Sequence, residues 1–260
     1  MKNLFLSFAA IAALSLVSCD SSDDSGNTAK LNVKLTDAPA KYAAVKIDIK
    51  SVEINSDQSG WNSFSVIKPG VYNLLDFRNG MDMLLAEAEL PAGRISQMRL
   101  VLGNNNSVVV DGVEYPLSTP SAMQSGLKFN WQQTLAAGGA YNVWIDFDAG
   151  RSIVKQGNGT YALKPVIRTF SELTDGQIKG YVLPQDAKSL IHVINVNDTI
   201  ATALPNADGF FMFKGLPSAT YKVSYDADAS TGYGDVNKEN VSVTYGQVTN
   251  LGTTTLVKAN

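Results

Sequence analysis

Residues 31–36 read L-N-V-K-L-T, and this alternation of apolar and polar side chains decides the fold class. Leu31, Val33 and Leu35 lie on one face of a strand, because successive side chains in a strand point to opposite faces. The alternation returns over residues 45–52, where Lys46 and its polar neighbours separate the apolar positions. The pattern predicts half-buried β-strands.

Working outward, the region 30–173 reads as a series of short strands separated by turn chemistry. Further strands are predicted over residues 61–66, 95–102, 107–111, 141–147 and 162–170. Turn signals stand at residues 37–40, 56–60, 104–106 and 111–112. Residues 80–90 fit either a short helical stripe or an extended segment. Turns every 8–12 residues or so predict an antiparallel β-sandwich.

The region 175–259 has the same character, and Asp175-Gly176 is interpreted as the separator. Asp208-Gly209 is a hairpin signal, followed by another strand pattern. The segments 209–213 and 215–221 resemble a carboxypeptidase regulatory-like (prealbumin-like) β-sandwich, although Ala219 stands where that family usually has glycine. The resemblance implies a non-catalytic spacer or interaction module. The predicted fold is therefore all-β, with two antiparallel β-sandwich domains.

The N-terminus predicts export and lipid attachment. Lys2 precedes an apolar run from Leu4 to Val17, and Ser18-Cys19 follows it. About 14 residues make a helix of roughly 21 Å, shorter than a bilayer core of about 30 Å. A basic start and a short apolar run are typical of a signal peptide, here residues 1–18, with Cys19 as the acylated residue. The alternative is an ordinary cleaved signal with an unmodified Cys19.

Residues 19–29 are predicted to be the lipidated cysteine and a disordered, acidic tether. Asp23-Asp24 resembles the signal that sends Bacteroidetes lipoproteins to the outer face of the outer membrane. The predicted location is therefore the outer membrane, lipid-anchored and on the cell surface. A generic spacer, with the protein at the periplasmic face, is the alternative.

Ordered motifs in residues 30–173 are similar to a known family. They are Leu35-Thr36-Asp37-Ala38-Pro39, Ile49-Lys50-Ser51-Val52-Glu53, Leu90-Pro91-Ala92-Gly93-Arg94, Gln97-Met98-Arg99-Leu100, Ser125-Gly126-Leu127-Lys128, Asp146-Phe147-Asp148 and Leu163-Lys164-Pro165-Val166. Together they resemble the DUF4382 family, lipoprotein domains common in Bacteroidetes and without a known function. The resemblance implies an envelope location and brings no catalytic residues.

Composition excludes several classes of function. Loss of the signal removes one lysine and shifts the formal net charge from −3 to −4, so no nucleic-acid footprint or basic membrane patch is visible. Cys19 is the only cysteine, so acylation would leave no thiol for a disulfide or a sulfur metal site. His192 is the only histidine, and no serine near a nucleophile elbow accompanies it. The expectation is a protein without a cofactor and not an enzyme.

Four kinds of site stay open as weaker interpretations. Asp146 and Asp148 lie two residues apart, about 6.6 Å along a strand, and could hold calcium or act as a glycosidase carboxylate pair. Acids shown to water on a half-solvated strand are the structural alternative. Thr199 lies in an Asp-Thr-Ile sequence similar to a Bacteroidetes O-glycosylation pattern. The ligand-binding candidates are the three tryptophans, as sugar-stacking surfaces or core residues: Trp61, Trp131 and Trp144.

The sequence leaves three hypotheses about function open. The leading hypothesis is a membrane-anchored, non-enzymatic binding lipoprotein whose partner is a glycan or an envelope protein. The second is a structural or assembly subunit of an envelope complex. The third is a carbohydrate-active enzyme that uses Asp146 and Asp148.

Overall fold

The computed structural model describes residues 27–38, 40–119 and 126–259. The chain is all-β, as its alternation predicts. Its strands are β1 (Thr28–Thr36), β2 (Ala44–Ser56), β3 (Gly60–Asn73), β4 (Met83–Pro91), β5 (Gly93–Leu102), β6 (Ser107–Val110), β7 (Val113–Ser118), β8 (Leu127–Leu135), β9 (Ala140–Phe147), β10 (Ile153–Lys155), β11 (Tyr161–Leu163), β12 (Ile167–Phe170), β13 (Asp175–Leu183), β14 (Leu190–Asn195), β15 (Asp198–Ala203), β16 (Phe210–Pro217), β17 (Ala219–Asp226), β18 (Val236–Val243) and β19 (Val248–Thr255). A single-turn helix, α1 (Ala149–Ser152), follows β9, and 3₁₀ turns occupy Leu74–Phe77, Gln185–Ala187 and Ala229–Thr231.

The first half of the chain packs two sheets around one core. One sheet has the order β12-β9-β1-β4, and the other has the order β10-β11-β7-β6-β2-β5-β8 with β3 paired to β2. Leu31, Val33 and Leu35 are fully buried in this core, while Asn32 and Lys34 are not. The apolar residues of the L-N-V-K-L-T stretch therefore form the inner face of β1, and Asn32 and Lys34 lie on its outer face.

The second half has its own core between two smaller sheets, of order β16-β13-β19 and β15-β14-β17-β18. Phe211, Tyr225 and Val223 are fully buried there. Most strand pairs in the chain are antiparallel, but β1 with β9, β7 with β11, and β13 with β19 are parallel. Parallel neighbours need long connections, and their pairing is not visible in local sequence.

Several elements differ from the sequence-based expectation. The stretch 80–90, left open between helix and strand, is extended from Met83 onward, where it forms β4 (Met83–Pro91). The strand predicted over 162–170 is divided into β11 and β12, because Pro165 offers no N–H to a ladder. The strands β7, β8, β10 and β15 are not among those predicted. Asp175-Gly176, interpreted as the separator, forms the first two residues of β13, which is the first strand of the second half.

The two halves are joined by a tight turn and by direct contacts. Asp175 N–H donates to the carbonyl of Ser171 at 3.1 Å, which closes the turn between β12 and β13. Lys214 Nζ on β16 lies 2.8 Å from Asp82 Oδ2, just before β4. The Asn79 side-chain amide donates to the Leu204 carbonyl at 2.8 Å. Within the described ranges, no helix is both long enough and apolar enough to cross a membrane.

Candidate functional site

A cleft of about 650 Å³ lies between the two halves. Its first wall is formed by the end of β1 and the chain that follows it, together with α1 and β12. Its second wall is formed by β15 and part of β16, with Leu190 and His192 of β14. The cleft mixes apolar, hydroxyl and charged side chains, a combination that ligand-binding sites commonly have.

Asp37 is the most perturbed acid in the cleft. It follows β1 directly, is 7 % exposed, and its Oδ1 accepts the Ala149 N–H at 2.9 Å. Burial raises the pKa of Asp37 to about 8, and the nearby carboxyls of Asp146 and Asp148 add to the rise. The Ala149 N–H and Arg78 oppose this shift without cancelling it. Asp37 is therefore mostly protonated at neutral pH.

Asp146 reaches the same end of the sheet through strand pairing. Thr36 on β1 is its register partner in the parallel pair, and Arg168 on β12 lies opposite it in the antiparallel pair. Arg168 Nε donates to Asp146 Oδ2 at 3.1 Å, and Nη2 contacts the same oxygen. Burial raises the pKa of Asp146, and the Arg168 guanidinium opposes that rise. Asp146 Oδ1 is buried without a hydrogen-bond partner among the described residues.

Asp148 has a different local role. Its Oδ1 accepts the Arg151 N–H at 2.9 Å and thereby caps the start of α1. The side chain of Arg151 remains exposed at the cleft. β9 ends at Phe147, so Asp146 and Asp148 do not continue one strand face.

Trp144 and Asp82 contact two residues that line the cleft, Phe170 and Lys214. The Trp144 indole stacks on Phe170, with ring centroids 5.5 Å apart, and donates its N–H to Asp82 Oδ2 at 2.7 Å. Burial by itself would raise the pKa of Asp82, but the hydrogen bonds from Lys214 and Trp144 outweigh it and lower that pKa. Asp82 therefore stays ionised and links the two halves through Lys214.

His192, the only histidine, lies in the second wall. Its Nδ1 is 2.9 Å from Thr202 Oγ1, and its Nε2 is 3.4 Å from Asp226 Oδ2. Thr202 sits inside β15, not on the strand-to-helix turn that exposes a hydrolase nucleophile. The three groups are cross-strand neighbours that satisfy one another. Nothing in this arrangement points to catalysis.

The sugar-stacking interpretation of the tryptophans needs correction. Trp131 and Trp144 are 7 % and 3 % exposed, so their faces are not open to a sugar. Trp61 is half-buried on β3, and the Arg99 guanidinium covers its ring at 3.7 Å from the centroid. The structure does not bring the three rings together, and each is used in packing.

The half-solvated picture of the Asp146 strand is also wrong. Residues Val143 to Phe147 are all buried, because one face of β9 packs in the core while Phe170 and Arg168 cover Trp144 and Asp146 on the other face. One oxygen of Asp146 is bound by Arg168 and one oxygen of Asp148 caps α1, so each carboxyl group has a structural contact. In the part of the chain that the structure describes, no three His, Cys, Asp or Glu side chains are grouped to hold a metal ion. Calcium at this pair stays a prediction.

Two other predicted sites remain predictions. Thr199 is exposed on β15 and lines the cleft, and its glycosylation is untested. Cys19 and the acidic pair Asp23-Asp24 lie outside the described residues.

Sequence reasoning missed the residues that make the cleft. From sequence, Asp37 is assigned to a turn and to a family motif, and Arg168 to a predicted strand, with no site role for either residue. The available signal was a carboxyl at the end of a strongly alternating strand, which often places polar groups at one edge of a sheet. β15, which forms much of the second wall, is not predicted as a strand, because its residues do not alternate between apolar and polar.

Three solved structures are similar to most of the chain at low identity. The TIE protein of Bacillus anthracis is 11 % identical, with 89 % of this chain and 34 % of that chain covered and a TM-score of 0.25. The minor pilin GBS52 of Streptococcus agalactiae is 8 % identical, with 90 % and 97 % covered and a TM-score of 0.24. A fimbrial protein from Bacteroides ovatus is 7 % identical, with 88 % and 50 % covered and a TM-score of 0.27.

This chain thus spans about a third of the TIE protein. At these TM-scores the similarity carries no argument about function. No curated protein matches the sequence. The family described as a domain of unknown function, DUF4382, matches residues 28–165, which is more than half of the sequence. The chain belongs to the DUF4382 family.

Proposed function

We propose that this protein is a lipid-anchored, surface-exposed binding protein of the outer membrane, not an enzyme, and that the cleft between its two halves is its ligand site. The observation that carries the proposal is the cleft itself, which combines a concave shape with convergent charged, hydroxyl and apolar groups. Its acids are held in structural contacts, which favours binding over catalysis.

The position of the cleft relative to the N-terminus supports the same function. The chain enters β1 at Thr28 and reaches the cleft at Thr36 and Asp37. Nine residues of strand separate the two ends by about 26 Å, at about 3.3 Å per residue. A lipid on Cys19 would therefore be joined, through the predicted tether, to the end of β1 that is remote from the cleft, which allows the cleft to lie away from the membrane.

Location is tested on intact cells with protease, using a periplasmic protein as the internal standard. We expect this protein to be digested while the periplasmic protein survives, and Cys19→Ser to release it from the membrane fraction. Survival of both proteins would place the cleft in the periplasm and contradict surface exposure.

Binding is tested with two panels of probes, immobilised polysaccharides and a displayed library of random ten-residue peptides. Thr199→Trp puts a large ring into the cleft, since Thr199 is exposed and lines it. Thr253→Trp is the matched control, on an exposed position of β19 outside the cleft. We expect a binder whose affinity falls at least about tenfold with Thr199→Trp and stays unchanged with Thr253→Trp. If neither panel yields such a binder, the cleft is not a ligand site.

A further inference from the structure

β15 is an edge strand whose outer side carries unused backbone groups. It stands first in the sheet order β15-β14-β17-β18, and its ladder partner is β14. Alternate residues of a strand direct their N–H and C=O groups to opposite sides. Among the described residues, no hydrogen bond reaches the side of β15 that faces away from β14.

The cleft runs along that open edge. Five consecutive residues of β15, Thr199 to Ala203, line it. Alternate side chains of a strand point to opposite faces of the sheet, so a cavity lying over one face would touch only every second residue. The pairing with β14 is irregular at Ile200, but Ala201, Thr202 and Ala203 follow one another in regular strand, so contact with all three means that the cleft follows the edge of the strand, where the unused N–H and C=O groups are.

The edge has only part of the protection that sheet edges usually carry. Charged side chains, proline and bulges discourage another strand from pairing with an exposed edge. The sequence of Thr199 to Ala203 is T-I-A-T-A, with no charge and no proline. At the opposite edge of the same sheet, β18 carries Lys238 and Glu239. The protection that β15 does carry is a bulge at Ile200, left unpaired between the Thr199–Ile194 and Ala201–Val193 pairs, and the charged Asp198 at its start. Beyond the bulge, the edge that faces the cleft is free of charge and proline.

The facing wall sets the charge of a suitable partner. Lys41 and Arg151 are exposed at the cleft and have no ion-pair partner among the described residues. Arg168 is paired with Asp146, Asp37 is held mostly in its neutral form, and Asp148 places one further carboxyl group in this wall, where it caps α1. Two cations against that one acid favour an acidic group on the partner, while Met212 on β16, in the other wall, offers an apolar contact.

We propose, resting on the function proposed above, that the cleft takes an extended segment of a partner polypeptide, which adds as a strand to the outer edge of β15 and places acidic side chains against Lys41 and Arg151. Main-chain hydrogen bonds supply affinity in such strand addition, and alternate side chains supply specificity. The five residues of edge match the length of an ordinary short strand, about 17 Å.

The first test uses the peptide library on the full mature chain. We expect the enriched peptides to carry Asp or Glu. Their affinity for the protein should fall at least about tenfold in a variant with both Lys41→Glu and Arg151→Glu. The control changes the charge equally at exposed lysines outside the cleft, with Lys155→Glu and Lys164→Glu, and leaves affinity unchanged. Enriched peptides that bind the two double variants equally would overturn the proposal.

The second test asks whether the backbone is used. A selected peptide is N-methylated at alternate residues, in two complementary series. One series blocks the peptide edge that faces β15 and abolishes binding, whereas the other keeps that edge free and still binds. Amide exchange slows when the parent peptide binds, at those residues of Thr199 to Ala203 whose N–H groups face away from β14. Equal binding of both series to that of the parent, or unchanged amide exchange, would overturn strand addition.

The two proposals fail in different ways. A polysaccharide that needs the cleft, with no peptide that does, would overturn strand addition and leave the binding function standing. Absence of any cleft-dependent binder in either panel would overturn both.

Discussion

Asp37 carries the clearest chemistry at the scale of a single residue. Its carboxyl has an ordinary pKa of 3.8, whereas burial raises the pKa to about 8 in the folded chain. Between these two pH values, the Asp37 carboxyl is deprotonated in the unfolded chain but still mostly protonated in the folded chain. The free energy of unfolding therefore falls as pH rises from about 4 to about 8 and does not fall further from this cause at higher pH.

Asp37→Asn should remove that part of the pH dependence, because the amide has no proton to lose and its oxygen can still accept the Ala149 N–H. At pH 8 we expect the variant to be more stable than the wild type by at least about 1.4 kcal/mol, the free energy of one pKa unit. At pH 4 the two should be nearly equal. Urea titrations at both pH values measure the difference.

Asp208→Asn provides the control, since Asp208 is exposed in a turn. It should follow the wild type at both pH values. A pH profile of Asp37→Asn that also follows the wild type would show that Asp37 is ionised in the folded chain.

At the scale of an element, the hairpin between β14 and β15 contains an unfavourable residue. Asn195 and Asp198 pair across a two-residue turn, and Val196 in that turn has φ of 56° and is 89 % exposed. A β-branched side chain is strained at positive φ, by about 1–2 kcal/mol. Glycine is preferred at the first central position of such a turn.

Val196→Gly should therefore raise the free energy of unfolding by about 1 kcal/mol, after allowance for the extra freedom of glycine in the unfolded chain. Val248→Gly, at an exposed valine in β19, is the matched control and should lower stability. Thermal unfolding of the three proteins gives the comparison. A loss of stability in Val196→Gly as large as in the control would mean that Val196 is not strained.

At the scale of the whole molecule, the link between Lys214 and Asp82 joins the two halves. The side chains are only 14 % and 22 % exposed, so their 2.8 Å contact is poorly screened by water. Lys214→Met keeps the aliphatic part of the side chain and removes the charge. We expect it to destabilise the contact between the halves by about 1.5–3 kcal/mol, the range for hydrogen bonds to charged groups.

Calorimetry should then show a lower midpoint for the less stable half in Lys214→Met, with the more stable half unchanged. Lys155→Met, at an exposed lysine of β10, controls for loss of a charge and should leave both midpoints in place. Unchanged unfolding of Lys214→Met would show that the halves are stable independently of this contact.

Local pattern was enough for the fold class and for much of the strand content. The alternation in β1, β2 and β5 is a property of neighbouring residues, and it reports burial because one face of each strand meets a core. The turn at Asp111-Gly112 is also predicted from the sequence, and both residues have positive φ in the structure. In contrast, β15 has no alternation of apolar and polar residues, so the sequence does not predict this strand.

The sequence by itself determined an all-β chain with two regions of strand pattern, because hydrophobic alternation acts over a few residues. Only the tertiary structure decided where the cleft lies. Asp37 and Asp146 are 109 positions apart and meet through the parallel register of β1 and β9. The burial of Trp131 and Trp144 and the open edge of β15 likewise depend on which strands become neighbours. Such long-range pairing is set by the packing of whole sheets, and no short stretch of sequence records it.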